Sequence, residues 1–317
     1  MLKNQASKRI ASIAIAIGLA GCSAPSTPNA QTEKGNRPLV IATHSILCDL
    51  TKQIAANTVD LKCLVQAGTD PHVYQATPED RKAIEQAKLI LYGGYNFEPS
   101  LIKLIQATSN PAPKVAVDEI AVPNPEKLEE DGETVTDPHV WHNAQNGIQM
   151  AKVISDRLSQ LQPEQAKLYA ENTNKITSEL TQIDTWIKSQ IATIPPESRQ
   201  LVTTHDALGY YSKAYEIPVI GALEGISTDE APTAARVSAL VKDIKKAKVP
   251  TIFAEATLNP KLIQSVAREA KVKVSDQELY ADGLGETGSE GETYQKMLTA
   301  NTCAIVDGLG GKCTPLN

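Results

Sequence analysis

The sequence has 317 residues, with 37 acidic and 31 basic side chains and a formal net charge of −6 at pH 7. Nucleic-acid binding needs a basic face, so this acidic balance gives no support to a nucleic-acid partner. The same charge favours the attraction of cations, although only weakly.

The N-terminus has the features of an export signal. A basic start with Lys3, Lys8 and Arg9 precedes an apolar run about half as long as a membrane-spanning helix. The run ends in Leu-Ala-Gly-Cys at Cys22, which resembles the bacterial lipobox. We predict a signal peptide over 1–21 and an exported protein that lipidated Cys22 anchors to the outer face of the cytoplasmic membrane, the periplasmic side in a Gram-negative cell. The alternative is a soluble protein with a chance apolar start.

Residues 22–37 are predicted to form a flexible tether. Ser, Pro, Asn and Gln are frequent there, and no residue larger than Ala is available for apolar burial. We expect the folded part to begin near Leu39.

Cysteine spacing predicts two disulfides. Of five cysteines, lipidation of Cys22 leaves an even number, and in an exported protein this favours disulfide bonds. The short spacings suggest the pairs Cys48 with Cys63 and Cys303 with Cys313, although three connectivities are possible. A thiolate metal site is the competing interpretation, and the four residues show no CxxC spacing.

Short β-rich runs alternate with helical patterns along the chain, which predicts an α/β fold with mostly parallel sheets. In the first half, the predicted strands are 38–44, 60–66, 88–94 and 114–120, with helices at 78–87 and 98–108. In the second half, the predicted strands are 200–205, 218–223, 251–256 and 271–276, with helices at 233–248 and 260–270. We assign two lobes, over 38–160 and 197–317.

A long helical stretch lies between the lobes. Apolar residues recur at helical spacing from Pro163 until Pro195 and Pro196 stop the pattern. We predict one helix over 163–193, roughly 45 Å long, that joins the lobes as a rigid rod. The alternative is a core helix of either lobe.

The five residues TDPHV occur twice, at 69–73 and 136–140, in a chain with five histidines. His72 follows the second predicted strand and His139 follows the fourth. Ligands of α/β sheets bind beyond the carboxyl ends of strands, where both histidines fall. Asp-Pro restricts the backbone before each ring, and the two aspartates are placed to accept hydrogen bonds from nearby main-chain donors.

Two further residues complete a candidate metal site. His205 ends the predicted strand LVTTH, and Asp282 lies in the glycine-rich loop LYADGLGETG. Two ligands from each lobe then predict a metal site in the cleft between the lobes. Imidazole and carboxylate donors suit Zn, Mn or Fe, whereas Ca and Mg sites are built mainly from oxygens.

Four motifs in chain order resemble the cluster A-I (TroA-like) solute-binding lipoproteins of bacterial ABC importers for manganese, zinc and iron. The motifs are TDPHVYQATPED, TDPHVWHN, LVTTHDALGYYSKAY and LYADGLGETG, within a resemblance over nearly all of 39–309. It implies two (β/α) lobes joined by a single long helix, and a monomer that delivers its ion to a membrane permease with an ATPase subunit, without catalysis. The ligands implied by the resemblance are His72, His139, His205 and Asp282.

The remaining histidines receive other interpretations. His44 is not a ligand in the resembling proteins, so we expect a satisfied structural histidine. His142 has helix-like spacing from His139, but the family pattern commonly has an apolar residue there, so we expect a supporting or surface position. Asp206 is a candidate for orienting an imidazole ring.

The sequence favours manganese as the cargo, with zinc or iron as alternatives. Zinc importers of the family often carry a histidine-rich insertion, and the acidic loop after Ile120 contains no histidine before His139. Manganese-specific members often place Glu where this chain has His205, so strict manganese selectivity is not implied. Zinc has the higher intrinsic affinity at such a site.

A secreted zinc hydrolase is the rival prediction, because three histidines can hold a zinc ion with an open water position. Such an enzyme needs a general base beside the water. The sequence contains no HExxH run, and no motif selects between Glu224 and Glu255 for that role.

Overall fold

The computed structural model describes residues 37–130 and 132–316. The predicted signal peptide, Cys22 and the tether up to residue 36 lie outside the described residues. Within the described part, no helix combines the length and the apolar character that crossing a membrane requires.

The first lobe contains a four-stranded parallel sheet in the order β2-β1-β3-β4. Its strands are β1 (Leu39–Ala42), β2 (Asp60–Cys63), β3 (Leu89–Tyr92) and β4 (Lys114–Ala116). Its helices are α1 (Ser45–Ala55), α2 (Pro78–Gln86), α3 (Pro99–Ala107) and α4 (Val117–Ala121). The central strands β1 and β3 are continuous apolar runs, as expected of a sheet covered on both faces. The four predicted strands are confirmed, although 117–120 is helical.

Helix α2 begins with a capping box. Thr77 Oγ1 accepts a hydrogen bond from Asp80 N, and the Asp80 carboxylate accepts one from Thr77 N. Pro78 occupies the first turn, where its missing N–H costs no helical hydrogen bond. This cap fixes the direction in which the chain leaves the first TDPHV segment.

Part of the acidic segment after Ile120, for which the sequence predicts a loop, forms an antiparallel hairpin. Its strands are β5 (Lys127–Glu130) and β6 (Glu133–Thr136). Strand β5 is mostly charged and has no β-branched or aromatic residue, so it gives no strand signal, whereas the β-branched Thr134, Val135 and Thr136 of β6 do favour a strand. Strand β6 ends at Thr136, which opens the second TDPHV segment.

Two long helices follow: α5 (Ala144–Leu161) and α6 (Ala166–Ile191). Helix α6 has 26 residues, roughly 39 Å, and a 3-10 turn at Pro163–Gln165 precedes it. The predicted long helix is therefore confirmed. It packs against α1 and α5 and also against the C-terminal helix at 294–308, so it is both the connection and part of the core.

The second lobe also contains parallel strands. They are β7 (Leu201–Thr203), β8 (Val219–Ala222), β9 (Thr251–Ile252) and β10 (Lys273–Val274). They form the pairs β7–β8 and β9–β10, and a hydrogen bond from Phe253 N to Val202 O sets the pairs side by side. The helices are α7 (Gly209–Tyr215), α8 (Ala234–Ala247), α9 (Lys261–Ala270) and α10 (Tyr294–Gly308). The α/β fold with two lobes is confirmed.

Both short-range cysteine pairs form disulfides. The Cα atoms are 5.8 Å apart in Cys48–Cys63 and 5.1 Å apart in Cys303–Cys313. Cys48 lies in α1 and Cys63 ends the edge strand β2, so the first bond ties the helix to the sheet edge next to the first TDPHV segment.

We expect that replacing Cys48 and Cys63 together by alanine lowers the free energy of unfolding by roughly 3 kcal/mol. The bond closes a loop of 15 residues, and its loss enlarges the entropy of the unfolded chain. Urea unfolding of the oxidised protein and the double variant measures the difference. A loss below about 1 kcal/mol would contradict this expectation.

Candidate metal centre

The structure brings together the four predicted site residues. His72 lies between β2 and α2, His139 directly after the hairpin, His205 two residues beyond β7, and Asp282 between β10 and α10. All four side chains are buried. His72 and His205 follow the strands β2 and β7 of the parallel sheets, as expected, whereas His139 follows the antiparallel strand β6 and not the fourth predicted strand.

Four donor atoms form a compact cluster. His139 Nε2 lies 3.2 Å from His72 Nε2, 3.3 Å from His205 Nε2 and 3.2 Å from Asp282 Oδ1. Asp282 Oδ1 lies 3.0 Å from His205 Nε2 and 3.5 Å from His72 Nε2. Four donors around a zinc-sized ion, each about 2.1 Å from it, would be about 3.4 Å apart in a tetrahedron. The cluster therefore has the dimensions to hold one first-row divalent ion.

Carboxylates orient two of the rings. Asp137 Oδ1 accepts hydrogen bonds from His139 N at 2.9 Å and from His139 Nδ1 at 2.8 Å. Glu255 likewise accepts from His205 N and His205 Nδ1. A proton on Nδ1 leaves the Nε2 lone pair free for a metal ion, so these carboxylates turn the donor atoms into the cleft.

Sequence reasoning missed the role of Glu255. The sequence predicts Asp206 as the residue that orients a ring, but Glu255, 50 residues from His205, accepts the hydrogen bond from His205 Nδ1. Glu255 follows β9, the strand beside β7, so strand order was the signal that could have found it. Glu255 also accepts from Thr204 N at 2.9 Å. With these partners it is a supporting group and not a free general base, which weakens the hydrolase interpretation.

Buried groups of the cluster shift one another's pKa values. Burial alone would raise the pKa of Asp282, but the charge of His205 and the contacts with the three rings hold that pKa well below its usual value. Burial lowers the pKa of His205, but Asp282 and Glu255 outweigh this and raise it well above 6.5. Burial also lowers the pKa of His139, but its hydrogen bonds with Asp137 and Asp282 outweigh this effect and raise that pKa. The cluster thus binds protons in the place where a cation fits.

The loop that carries Asp282 is anchored to the first lobe. Trp141 Nε1 and His142 Nε2 both donate to Ala281 O, at 3.1 and 2.9 Å. Leu284 N donates to Ser45 Oγ at 2.9 Å. His142 is fully buried, and burial lowers its pKa to about 3, so it is a neutral donor that supports the loop. Asp282 belongs to the second lobe in sequence, and these contacts hold its loop to the first lobe as well.

Phe97 and Trp141 cover the cluster on one side. The Phe97 ring centroid lies 5.0 Å from that of His72, and Trp141 lies 5.5 Å from His139. Both aromatic side chains are buried, so they shield the histidine rings from water. This apolar wall strengthens the electrostatic interactions of the cluster.

His44 lies outside the cluster, as predicted, but it is not satisfied. Neither ring nitrogen has a hydrogen-bond partner among the described residues, and Nε2 lies 3.7 Å from Asp118 Oδ2. Burial lowers the pKa of His44 to about 4, which keeps the ring neutral. The expectation of a satisfied histidine is therefore wrong, because the distance of 3.7 Å to Asp118 Oδ2 is too long for a hydrogen bond.

Glu224, the other acid considered as a general base, lies at a cavity of about 900 Å³ beside the cluster. Glu129 and Glu133 of the hairpin line the same cavity. Burial raises the pKa of the Glu224 carboxyl. Its main-chain N donates to Thr204 O at 2.8 Å, which ties the cavity wall to the strand end that bears His205.

We expect Glu255→Gln to weaken metal binding by about 10- to 100-fold. The amide keeps the size of the side chain but removes the carboxylate that holds the Nδ1 proton of His205, and partners of this kind typically contribute that much. Chelator competition on the two proteins measures the change. Glu224→Gln is the matched control, because Glu224 makes no hydrogen bond to a ring nitrogen of the cluster among the described contacts. Equal affinities for Glu255→Gln and the unaltered protein would contradict this role.

Two lobes of α/β structure with a buried His₃Asp cluster between them define a class of protein: a two-lobed binding protein whose cleft suits a metal ion. The sequence profile described as "ZnuA: Zinc-uptake complex component A periplasmic" matches residues 40–308. The chain belongs to this family.

Relatives cover nearly the whole chain. The manganese ABC transporter substrate-binding lipoprotein PsaA of Streptococcus pneumoniae is 33% identical over 285 residues, covering 88% of this chain and 91% of PsaA. The metal ABC transporter substrate-binding lipoprotein ScbA of Streptococcus cristatus is 34% identical over 301 residues, covering 92% of this chain and 95% of ScbA.

Solved structures share the architecture. The periplasmic zinc binding protein TroA from Treponema pallidum is 31% identical and superposes with a TM-score of 0.82 over 86% of this chain and 99% of TroA. An Mn-bound periplasmic metal binding protein from Candidatus Liberibacter asiaticus is 26% identical, with a TM-score of 0.76 over 86% of this chain and 100% of that protein.

Proposed function

We propose that this protein is the extracytoplasmic solute-binding component of an ABC importer and captures a divalent transition metal ion. The observation that carries the proposal is the buried cluster in which four donor atoms lie within 4.8 Å of one another. We assign the ligands as His72, His139, His205 and Asp282. Membership in the family and the similarity to PsaA and TroA support this function.

The proposed mechanism is capture and delivery without bond chemistry. The ion displaces protons from the imidazole Nε2 atoms, while Asp137 and Glu255 keep their hydrogen bonds to the opposite ring nitrogens. The two lobes close around the ion, and the aromatic wall excludes water. A membrane permease, driven by its ATPase subunit, would then separate the lobes and release the ion. The protein would act as a monomer held at the outer face of the membrane by lipidated Cys22.

We propose manganese as the cargo in the cell, with zinc or iron as alternatives. Similarity to the manganese-transporter lipoprotein PsaA and the lack of histidine in the acidic hairpin segment favour manganese. Similarity to the zinc-binding TroA and three imidazole donors favour zinc. At equal availability zinc binds such a donor set more tightly, so cargo choice depends on the supply of each ion.

Competitive binding of Mn and Zn to the chain from Ser23 onward tests the function. We expect one ion per chain, and we expect His205→Glu to shift the preference toward Mn, since a carboxylate oxygen is a harder donor than imidazole. His205→Gln controls for the loss of the ring. If neither ion binds stoichiometrically, the proposed function is overturned. An unchanged metal preference in His205→Glu would refute the role of His205 in selectivity.

A further inference from the structure

The two TDPHV segments use their aspartates differently. In the second segment, Asp137 Oδ1 accepts from both the main chain and the ring of His139. In the first, Asp70 Oδ1 accepts from His72 N at 2.9 Å, and Asp70 Oδ2 accepts from Thr228 Oγ1 at 2.6 Å. The first segment therefore directs one carboxylate oxygen to its own histidine turn and the other across the cleft.

Thr228 belongs to the second lobe, in the loop between β8 and α8. The start of this loop is tied to both neighbours of His205. Glu224 N donates to Thr204 O at 2.8 Å, and Asp206 N donates to Gly225 O at 3.0 Å. A continuous path of hydrogen bonds and short main-chain segments thus runs from the turn of His72, through Asp70 and Thr228, to the turn of His205.

We propose that Thr228 is a positioning residue for metal retention: its hydrogen bond to Asp70 holds together the two ligand turns of opposite lobes and slows release of the ion. This inference rests on the proposed function. The hydrogen bond between Asp70 and Thr228 slows the opening of the site.

The bond has the features of a strong cross-lobe contact. Its acceptor is a carboxylate, its length is 2.6 Å, and the contact is partly buried. Hydrogen bonds to ionised groups are about twice as strong as neutral ones. Separation of the lobes breaks the bond, whereas entry of an ion into an open cleft does not require it. Its loss therefore raises the dissociation rate and leaves the association rate nearly unchanged.

Metal release from four proteins tests this inference: the unaltered chain from Ser23 onward, Thr228→Val, Thr228→Ser and Thr257→Val. Thr228→Val keeps the shape but removes the hydroxyl, and Thr228→Ser restores it. Thr257→Val is the matched control, because Thr257 lies in the same lobe as Thr228. Its Oγ1 atom is buried and has no hydrogen-bond partner among the described residues. Each protein is loaded with Zn²⁺ or Mn²⁺ and mixed with excess chelator, and release is followed by intrinsic tryptophan fluorescence.

We expect Thr228→Val to release the ion about tenfold faster, the size expected for one hydrogen bond to a charged group. The association rate should stay within about twofold, and Thr228→Ser and Thr257→Val should release the ion at the rate of the unaltered protein. In an Asp70→Ala background, Thr228→Val should add little, because the acceptor is already absent.

Three results would overturn the inference. Metal binding with an unchanged release rate in Thr228→Val would refute the role of Thr228 and leave the proposed function intact. Equal acceleration in Thr257→Val would mean a general loss of structure. Failure of the unaltered protein to bind either ion would remove the proposed function and this inference with it.

Discussion

Replacing His139 by alanine is expected to lower the affinity for a divalent transition metal ion by at least about 100-fold. His139 Nε2 lies within 3.3 Å of donor atoms from the other three site residues, so it occupies the centre of the cluster. Removal of a group that only supports a ligand costs about 10- to 100-fold, and removal of a ligand costs more. The change also leaves the buried carboxylate of Asp137 without its ring partner.

Chelator competition on the chain from Ser23 onward measures this loss, with circular dichroism to verify folding. His44→Leu is a suitable control because His44 is buried, lies outside the cluster, and forms no hydrogen bond through its ring within the described part of the chain. An apolar side chain there removes an unsatisfied polar group and should leave binding unchanged. Full binding by His139→Ala, or an equal loss in His44→Leu, would refute the assigned site.

Strand ends made the candidate site predictable from the sequence. Residues at the carboxyl ends of parallel strands meet at one edge of a sheet, so His72 and His205 could be placed without coordinates. The repeated TDPHV directed attention to His139, and the glycine-rich loop to Asp282. The apolar runs of β1 and β3 and the periodicity of α6 likewise identified the fold.

Local sequence patterns could not predict the contacts that support the ligands. Glu255 reaches His205 across 50 residues because β9 lies beside β7, and that neighbour relation depends on the order of strands. The bond between Asp70 and Thr228 spans 158 residues and two lobes. Asp70 and Asp137 lie in identical TDPHV segments, so the local sequence does not distinguish them. The difference comes from what the opposite lobe presents to each carboxylate.

The contacts of the Asp282 loop change the expected assignment of the four ligands to the two lobes. The sequence suggested two ligands from each lobe. Because Trp141 and His142 hold Ala281 O, the Asp282 carboxylate is supported by the lobe that carries His72 and His139. The same loop is also bonded to the second lobe, where Tyr280 N donates to Asn301 Oδ1, so it is held by both lobes. Separation of the lobes must then break the bond between Asp70 and Thr228 and release the Asp282 loop from one of the two lobes.

Metal affinity is expected to rise steeply with pH above about 6.5. Without a bound ion, the pKa of His205 is well above 6.5 and that of His139 is also raised, so both rings retain protons in this range. A bound ion must displace those protons, and each displaced proton makes affinity change about tenfold per pH unit. With two protons the slope approaches about 100-fold per unit. The pKa of Asp282 is held well below its usual value, so Asp282 stays ionised and contributes nothing to this slope.

Apparent affinities at about pH 6, 7 and 8, with calorimetry in buffers of different ionisation enthalpy, give both the slope and the number of protons released. Glu255→Gln removes one group that raises the pKa of His205 and should make the profile shallower. A flat profile above pH 6.5 would show that the rings are already neutral in the empty protein.

The stability of the metal-free protein should depend on pH with the opposite sign. A histidine whose pKa is higher in the folded than in the unfolded state stabilises the fold fully below the unfolded value of about 6.5. That contribution is lost as the pH rises through the folded pKa values of His139 and His205. The metal-free protein thus loses stability in the pH range where its affinity for metal increases, because the same two rings lose their protons. Excess metal should cancel this loss, since the ion replaces the missing positive charge beside Asp282.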